Sequence, residues 1–308
     1  MAAAKNENAR LGRRRGPTMT RMGAPKRLLL RLVVAGVCAL GVTAPASALL
    51  GLLGNGIGQV TINGNTVVAQ IDLLGIVGTE FRLQFESVQN LSVQNLGLGA
   101  RLVSPLDPNL LQRLPEDGLG GLLSIALPIA ISVEPPANGG LRFQNTVSAE
   151  IHTHMLGYTI DSPLRLYKSP HNGEFFDMTG AVAPGSVRTR GSTGGFSDFV
   201  VVLDLLPSEE HAEDKYDYLA ARSANPAIAA TVRAPLAQDL AASRAAFDAG
   251  NHAGAQQQLT LFVQHVRANA GTAIPNEWRS QRDRDNVAGD LLGYAGSLAF
   301  SIDRASRE

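Results

Sequence analysis

Cysteine is almost missing from this chain. Of 308 residues only Cys38 is a cysteine, and it falls inside a segment read below as a removable leader. The mature chain then has no disulfide, no thiol nucleophile and no cysteine-based metal site. Such a domain must hold itself together by its hydrophobic core, which this length permits. Tryptophan occurs once, at Trp278, and aromatics make up 5% of the chain. Charged residues are 18% and hydrophobic ones 44%, a balance that suits a folded protein rather than a disordered one. Catalytic signatures are lacking too. There is no G-x-S-x-G elbow and no H-E-x-x-H helix. Asp177-Met178-Thr179-Gly180 only grazes the D-T-G of aspartic proteases, with one residue extra and no second copy. Asn138-Gly139-Gly140 and Gly194-Gly195 do not lie between a strand and a helix, so they read as turns and not as phosphate cradles. No cofactor is implied.

The one long apolar run is Leu28 to Val42, LLLRLVVAGVCALGV, broken only by Arg31. A basic stretch containing Arg13, Arg14, Arg15, Arg21, Lys26 and Arg27 precedes it, and Pro45-Ala46-Ser47-Ala48 follows. A basic region, a short apolar region and small residues at the cleavage positions make a secretory signal peptide over 1–48, cut after Ala48 and too short to stay as a membrane span. Met22 opens a signal of ordinary size, so either Met1 or Met22 is the start. The expected mature chain carries no transmembrane anchor and resides in the periplasm or outside the cell. Nine of the 27 basic residues and one of the 27 acidic ones fall within the first 48, leaving 18 basic and 26 acidic, a net charge near −8. That balance argues against nucleic acid as a partner, because phosphate binding rests on Lys and Arg.

Beyond the leader the pattern is that of strands. QVTI and TVVAQIDLL flank Asn63-Gly64-Asn65, a hairpin signal. Phe81, Leu83 and Phe85 share one face. Val147, Ala149, Ile151 and Thr153 share another, with Ser148, Glu150, His152 and His154 opposite, the period of two that sets one face on a core. Pro128 inside LLSIALPIAISV favours an edge strand or a bulge. The continuous run Phe199 to Leu203 belongs in the middle of a sheet. Short strands, frequent turns and no βαβ rhythm predict an all-β antiparallel sandwich, Ig-like or jelly-roll-like, over 49–205.

After Asp204 the period changes. Ser208 to Asp217, SEEHAEDKYD, starts a helix whose acidic first turn suits the helix dipole; it reads as a solvated linker helix within 206–234 and lacks the ligand spacing of a calcium loop. From 235 to 308 three amphipathic helices are predicted, making a small bundle and an α+β protein overall. Pro235 suits a first turn, and Leu236, Leu240 and Phe247 mark one stripe. Gly250 caps that helix and Asn251 opens the next, with Ala255, Leu259, Phe262, Val263 and Val266 inward. The third starts at Asn276 or Glu277 and buries Val287, Leu291, Leu292, Ala295, Leu298 and Ile302.

Two resemblances attach to these residues. SPLRLYKSPHNGEFFDMTGAV…GGFSDFVVV, an LRLY-type strand, a turn, an aromatic/Asp-x-Thr element and an FSxFVV-type closing strand, resembles an uncharacterised exported β-sandwich family of Gram-negative bacteria, with no activity to carry over. The order Leu240, Gly250-Asn251, Ala255, Leu259, Phe262-Val263, Val266, Gly271 resembles FIMAH-type and FIVAR-type helical modules. Those are accessory modules of extracellular bacterial proteins, and the likeness implies an interaction or spacer role. The long insertion between Gly271 and Val287, with Trp278 and three arginines, departs from that pattern.

The candidate site residues fall into two sets. Glu150, His152 and His154 share a strand face and, with His171 on a turn, form a zinc or copper donor set; the plainer reading is the polar outer face of a strand. Tyr158, Tyr167, Phe176 (beside Phe175) and Trp278 are candidates for an aromatic platform under a sugar ring; the plainer reading is core for the strand aromatics and a solvated helix start for Trp278 with Arg279, Arg282 and Arg284. The leading expectation is an exported non-catalytic binding or structural protein of the cell envelope, whose partner is a glycan or an envelope protein. Two readings stand beside it. One is a hydrolase or metal-dependent enzyme in which Glu150, His152, His154, His171 or Asp177 converge in a cleft. The other is an assembly or adhesin subunit that pairs through its edge strands.

Overall fold

A computed structural model describes residues 56–73, 78–104, 107–115, 123–159, 161–170, 173–184 and 187–308. The expected leader over 1–48, with its expected cleavage site, and His171 lie outside the described residues. Among the described residues twelve strands form two sheets in which every ladder is antiparallel. The first sheet takes β1 (Ile57–Asn63), β2 (Thr66–Ile71), β3 (Thr79–Gln89), β6 (Arg142–Thr153), β10 (Val187–Thr193) and β9 (Thr179–Ala183) in that spatial order, with β12 (Trp278–Arg279) also on β6. The second runs β4 (Leu98–Leu102), β5 (Leu123–Val133), β11 (Asp198–Asp204), β7 (Leu164–Ser169) and β8 (Phe176–Asp177). The expected hairpin joins β1 to β2: Asn63 pairs with Thr66 around Gly64 at φ +56, a left-handed conformation that glycine adopts freely.

The sheets pack face to face as a sandwich. Phe81, Leu83 and Phe85 of β3 and Val147, Ala149 and Ile151 of β6 meet Leu127, Ile129, Ile131, Leu166 and Phe199 of the second sheet. The rings of Phe81 and Phe199 lie 5.5 Å apart. The second sheet is covered on its other face as well. Val200 and Val202 turn away from the sandwich and pack with Leu110, Leu114, Tyr167 and Phe175. A strand buried on both faces loses its polar alternation, which explains the unbroken run in β11. That strand is central, between β5 and β7.

Pro128 sits in an interior strand, and the bulge makes this possible. The β11–β5 register slips between Val200–Ala130 and Val202–Ile125. Across that slip Ile125 joins the outer cluster while Leu127 joins the sandwich core, and the Pro128 carbonyl accepts from the Val103 N–H of the chain leaving β4 (3.1 Å). A bulge leaves a residue unpaired, which is where a proline does not break the ladder.

Two single-turn helices, α1 (Val93–Leu96) and α2 (Pro108–Leu111), lie among the strands. The sandwich is followed by a bundle of four helices: α3 (Ser208–Ser223), α4 (Ala230–Asp248), α5 (His252–Asn269) and α6 (Val287–Ala305). Three departures from the expected helices have local causes. The segment expected to be a solvated linker is α3, which buries His211, Ala212, Lys215, Tyr216 and Leu219, one stripe at i, i+4 and i+8. Pro235 stands inside α4, where it leaves one i→i−4 bond unmade. The last helix starts at Val287, ten or eleven residues later than expected, because Asn276 is used elsewhere. Its side chain accepts from the Asn145 N–H and donates to the Asn145 Oδ1, both at 2.8 Å. This draws the chain alongside β6, where Trp278 pairs with Phe143. Asn286 then caps α6 through the Gly289 N–H (3.0 Å). The caps at Gly250 (φ +72) and Asn251 stand as expected.

Helix α6 joins the layers. It is buried almost all round and packs on β6, β9 and β10 with α3 and α5 alongside. The approach is close because the contact points are glycines. A Cβ added at Gly293 would lie 2.3 Å from the Ser192 carbonyl oxygen, and one at Gly289 would lie 2.3 Å from that of Asn145. Leu50–Glu308 forms one compact unit.

Candidate functional site

Edge strand β8 is two residues long, and its alternation divides the local chemistry. Phe176 turns to one side and Asp177 to the other. A cleft of about 1010 Å³ runs over this edge, between the second sheet and helix α3. That is the size of a small-molecule or oligosaccharide site.

On the Asp177 side lies a buried polar network. Lys215 of α3 donates to Asp177 Oδ2 at 2.5 Å, to Ser301 Oγ at 2.8 Å and to the Ser297 carbonyl at 3.5 Å. All three ammonium donors are thus used. Asp177 Oδ1 accepts from the N–H (2.8 Å) and hydroxyl (2.5 Å) of Thr179, so the Asp-x-Thr element closes on itself. Asp204 Oδ2 accepts from the Tyr167 hydroxyl at 2.7 Å and Oδ1 from the Leu206 N–H at 3.0 Å. His211 stands between the acids, its Nε2 2.9 Å from Asp204 Oδ2 and its Nδ1 3.9 Å from Asp177 Oδ2, but the Nε2 contact is too bent to be a hydrogen bond.

Burial alone would raise the Asp177 pKa. Lys215, His211 and Arg165 outweigh it and hold the carboxyl well below the ordinary range. Burial lowers Lys215 against the pull of Asp177. Burial, with Asp204 and Asp177 nearby, pushes the Tyr167 phenol far up, so it stays a proton donor. The carboxylates and Lys215 are thus satisfied within the fold, and His211 Nε2 is left without a hydrogen-bond partner among the described residues.

On the Phe176 side the wall is aromatic. Tyr218 of α3 and Tyr294 of α6 stack at 3.6 Å with their planes 14° apart, and the Phe176 ring lies 5.0 Å from that of Tyr294. Tyr294 is 6% exposed, and its hydroxyl makes no hydrogen bond of good geometry. Burial raises both phenols out of the physiological range, Tyr218 with help from Asp290 and Tyr294 with help from Tyr218. Asp290, which lines the cleft, is held by Arg222 at 2.7 Å, and Arg222 also grips Asp285 through both amino groups.

Of the four aromatic candidates, Tyr167 and Phe176 line this cleft. Trp278 lies on an adjoining one of about 420 Å³ that shares Lys168, Pro170 and Asp290 with it. Trp278 is no solvated helix start. It is 9% exposed, stacks on Phe143 at 5.4 Å and meets Phe196 edge-on at 4.9 Å. Tyr158 lines neither cleft and packs against the sandwich core.

The metal candidates Glu150, His152 and His154 do share a strand face, and the His152 and His154 rings are 4.8 Å apart. Glu150, however, is held by two guanidiniums, Arg188 at 3.4 Å and Arg190 at 3.1 Å. Burial and Arg188 keep His152 below the ordinary imidazole range. Among the described residues no group of three His, Cys, Asp or Glu side chains is placed to hold a metal.

Sequence reasoning passed over Lys168, Asp204, His211, Lys215, Tyr218 and Tyr294. The available signal was the spacing of His211, Lys215 and Leu219 within a helix that otherwise looks charged all round. Among the described residues no helix is long and apolar enough to cross a membrane.

No curated protein and no solved structure matches this chain. A family of unknown function, DUF6689, has a model that matches residues 38–306, nearly the whole length, and the chain belongs to that family.

Proposed function

We propose that this is an exported, non-catalytic binding protein of the bacterial cell envelope, and that its ligand, a glycan, occupies the cleft over β8. One observation carries the reading: the cleft joins an aromatic wall to two carboxylates and a lysine, Asp177, Asp204 and Lys215, that are already committed to neighbours. All four carboxylate oxygens of Asp177 and Asp204 have donors within the fold, and Lys215 has no donor left. A general acid or base must be free to exchange a proton with substrate, and these groups are held by neighbours. Stacked rings with a polar rim suit a sugar, whose apolar ring face and hydroxyl edges need both. The secretory signal read from residues 1–48 supports an envelope location. The likeness of 235–303 to accessory modules of extracellular proteins supports a role in binding.

Isothermal titration of the purified mature protein with a panel of envelope glycan fragments tests this. Micromolar binding to at least one fragment is expected, with Tyr218→Ala weakening it about tenfold, since a stacked ring contributes roughly 1–3 kcal/mol. A panel without binders, or cleavage products found by mass spectrometry after incubation, would overturn it.

A further inference from the structure

The inner end of this cleft holds a cation whose hydrogen-bonding capacity is not filled. The alternation of β7 turns Leu164, Leu166 and Lys168 toward the space between the sheets. The two leucines enter the sandwich core, and Lys168 stands at its open end, 6% exposed. Its Nζ donates across the sandwich to Thr193 Oγ1 at 2.5 Å and sits 5.8 Å from the Phe176 ring centre. An ammonium carries three donors, and among the described residues this one makes no other hydrogen bond and no ion pair. Asp290, the carboxylate whose charge acts on it, is already bound by Arg222 at 2.7 Å and by the Gly194 N–H at 3.2 Å. A buried cation without a directly paired carboxylate is unfavourable, so an anion arriving beside it gains more than it would at the surface. Lys168 lines both clefts at the point where they join. The outer lip is the reverse: Glu210, Glu213 and Asp214 on α3 make it acidic.

We infer that the cleft selects a glycan residue bearing a single carboxylate, which enters first and is received by Lys168 while the sugar ring lies along Phe176 and Tyr218. The acidic lip disfavours a polymer with a carboxylate on every sugar. This inference rests on the glycan reading of the cleft.

The test compares four probes on the wild-type protein by isothermal titration: a disaccharide ending in a uronic acid, its neutral counterpart with a hydroxymethyl in place of the carboxylate, a polyuronate, and sodium acetate. The uronic-acid disaccharide is expected to bind about tenfold or more tighter than the neutral one, the gain of a hydrogen bond to a charged group. Polyuronate and acetate should both be weaker than the disaccharide acid. In Lys168→Met, which keeps the chain length and removes the charge, the two disaccharides should bind alike. Equal binding of the two by the wild type overturns the carboxylate inference and leaves the glycan reading standing. Binding of acetate as tight as the disaccharide acid shows a simple anion site and overturns the inference. Failure of both disaccharides overturns it together with that reading. The wild-type comparison decides the matter even if the variant does not fold.

Discussion

Lys215 and Asp177 meet 2.5 Å apart across the seam between helix α3 and edge strand β8, with only 4% and 3% of their side chains exposed. The pair fastens the bundle to the sandwich. It was formed by two stretches of sequence that each looked ordinary.

Removing one member should damage the fold more than removing both. Asp177→Ala leaves a buried, uncompensated ammonium, and a loss of about 3–5 kcal/mol is expected. The double variant Asp177→Leu with Lys215→Met should recover a good part of that loss. Urea unfolding of the three proteins measures it, and strictly additive losses would contradict the pairing.

The same pair sets an acid limit. The folded-state pKa of Asp177 lies below the ordinary 3.8, since Lys215, His211 and Arg165 overcome the effect of burial. A depressed carboxylate contributes stability that is present above its unfolded pKa and lost as pH falls through the folded one. Stability should therefore drop from about pH 5 downward, and the drop should be shallower in Asp177→Asn. Glu86, whose pKa Arg267 and Thr146 lower against burial, adds to the same limb. Melting temperatures from pH 2 to 7 provide the comparison.

Glycines on α6 should respond in opposite directions. Gly293→Ala would push a methyl to 2.3 Å from the backbone oxygen of Ser192, and backbone cannot swing aside, so a loss of about 1–3 kcal/mol is expected. Gly296, three residues on, has nothing within 4 Å of an added Cβ, and Gly296→Ala should gain about 0.5–1 kcal/mol from helix propensity. Two melting curves settle it; equal shifts would mean α6 does not dock as described.

Trp278 provides a spectroscopic check, being the single tryptophan. Packed between Phe143 and Phe196, it should emit at blue-shifted wavelength, resist acrylamide quenching and shift red on unfolding. Trp278→Ala should lose about 3–5 kcal/mol. Solvent-like emission from the native protein would contradict the burial.

Much of the architecture was legible in the chain itself, because burial writes its period into sequence. Alternation at Val147, Ala149 and Ile151 marked an inward strand face, the stripe Leu236, Leu240 and Phe247 a helix face, and Gly250-Asn251 a boundary with its caps. Such signals are local: each residue reports which side of its own element is covered. The proline in β5 left an edge strand or a bulge open, and the structure has the bulge, in an interior strand.

What the tertiary structure alone decided was which polar residues are buried together. Lys168 and Lys215 look like surface lysines in sequence, and His211 looks like one member of an acidic, solvated helix. Their burial depends on partners 25 to 86 residues away: Thr193 for Lys168, and Asp177 and Ser301 for Lys215. No pattern of hydrophobicity encodes that distance. A polar side chain is tolerated inside only when another polar group from elsewhere in the chain meets it, so the cleft comes into being only when the helices close on the sheet.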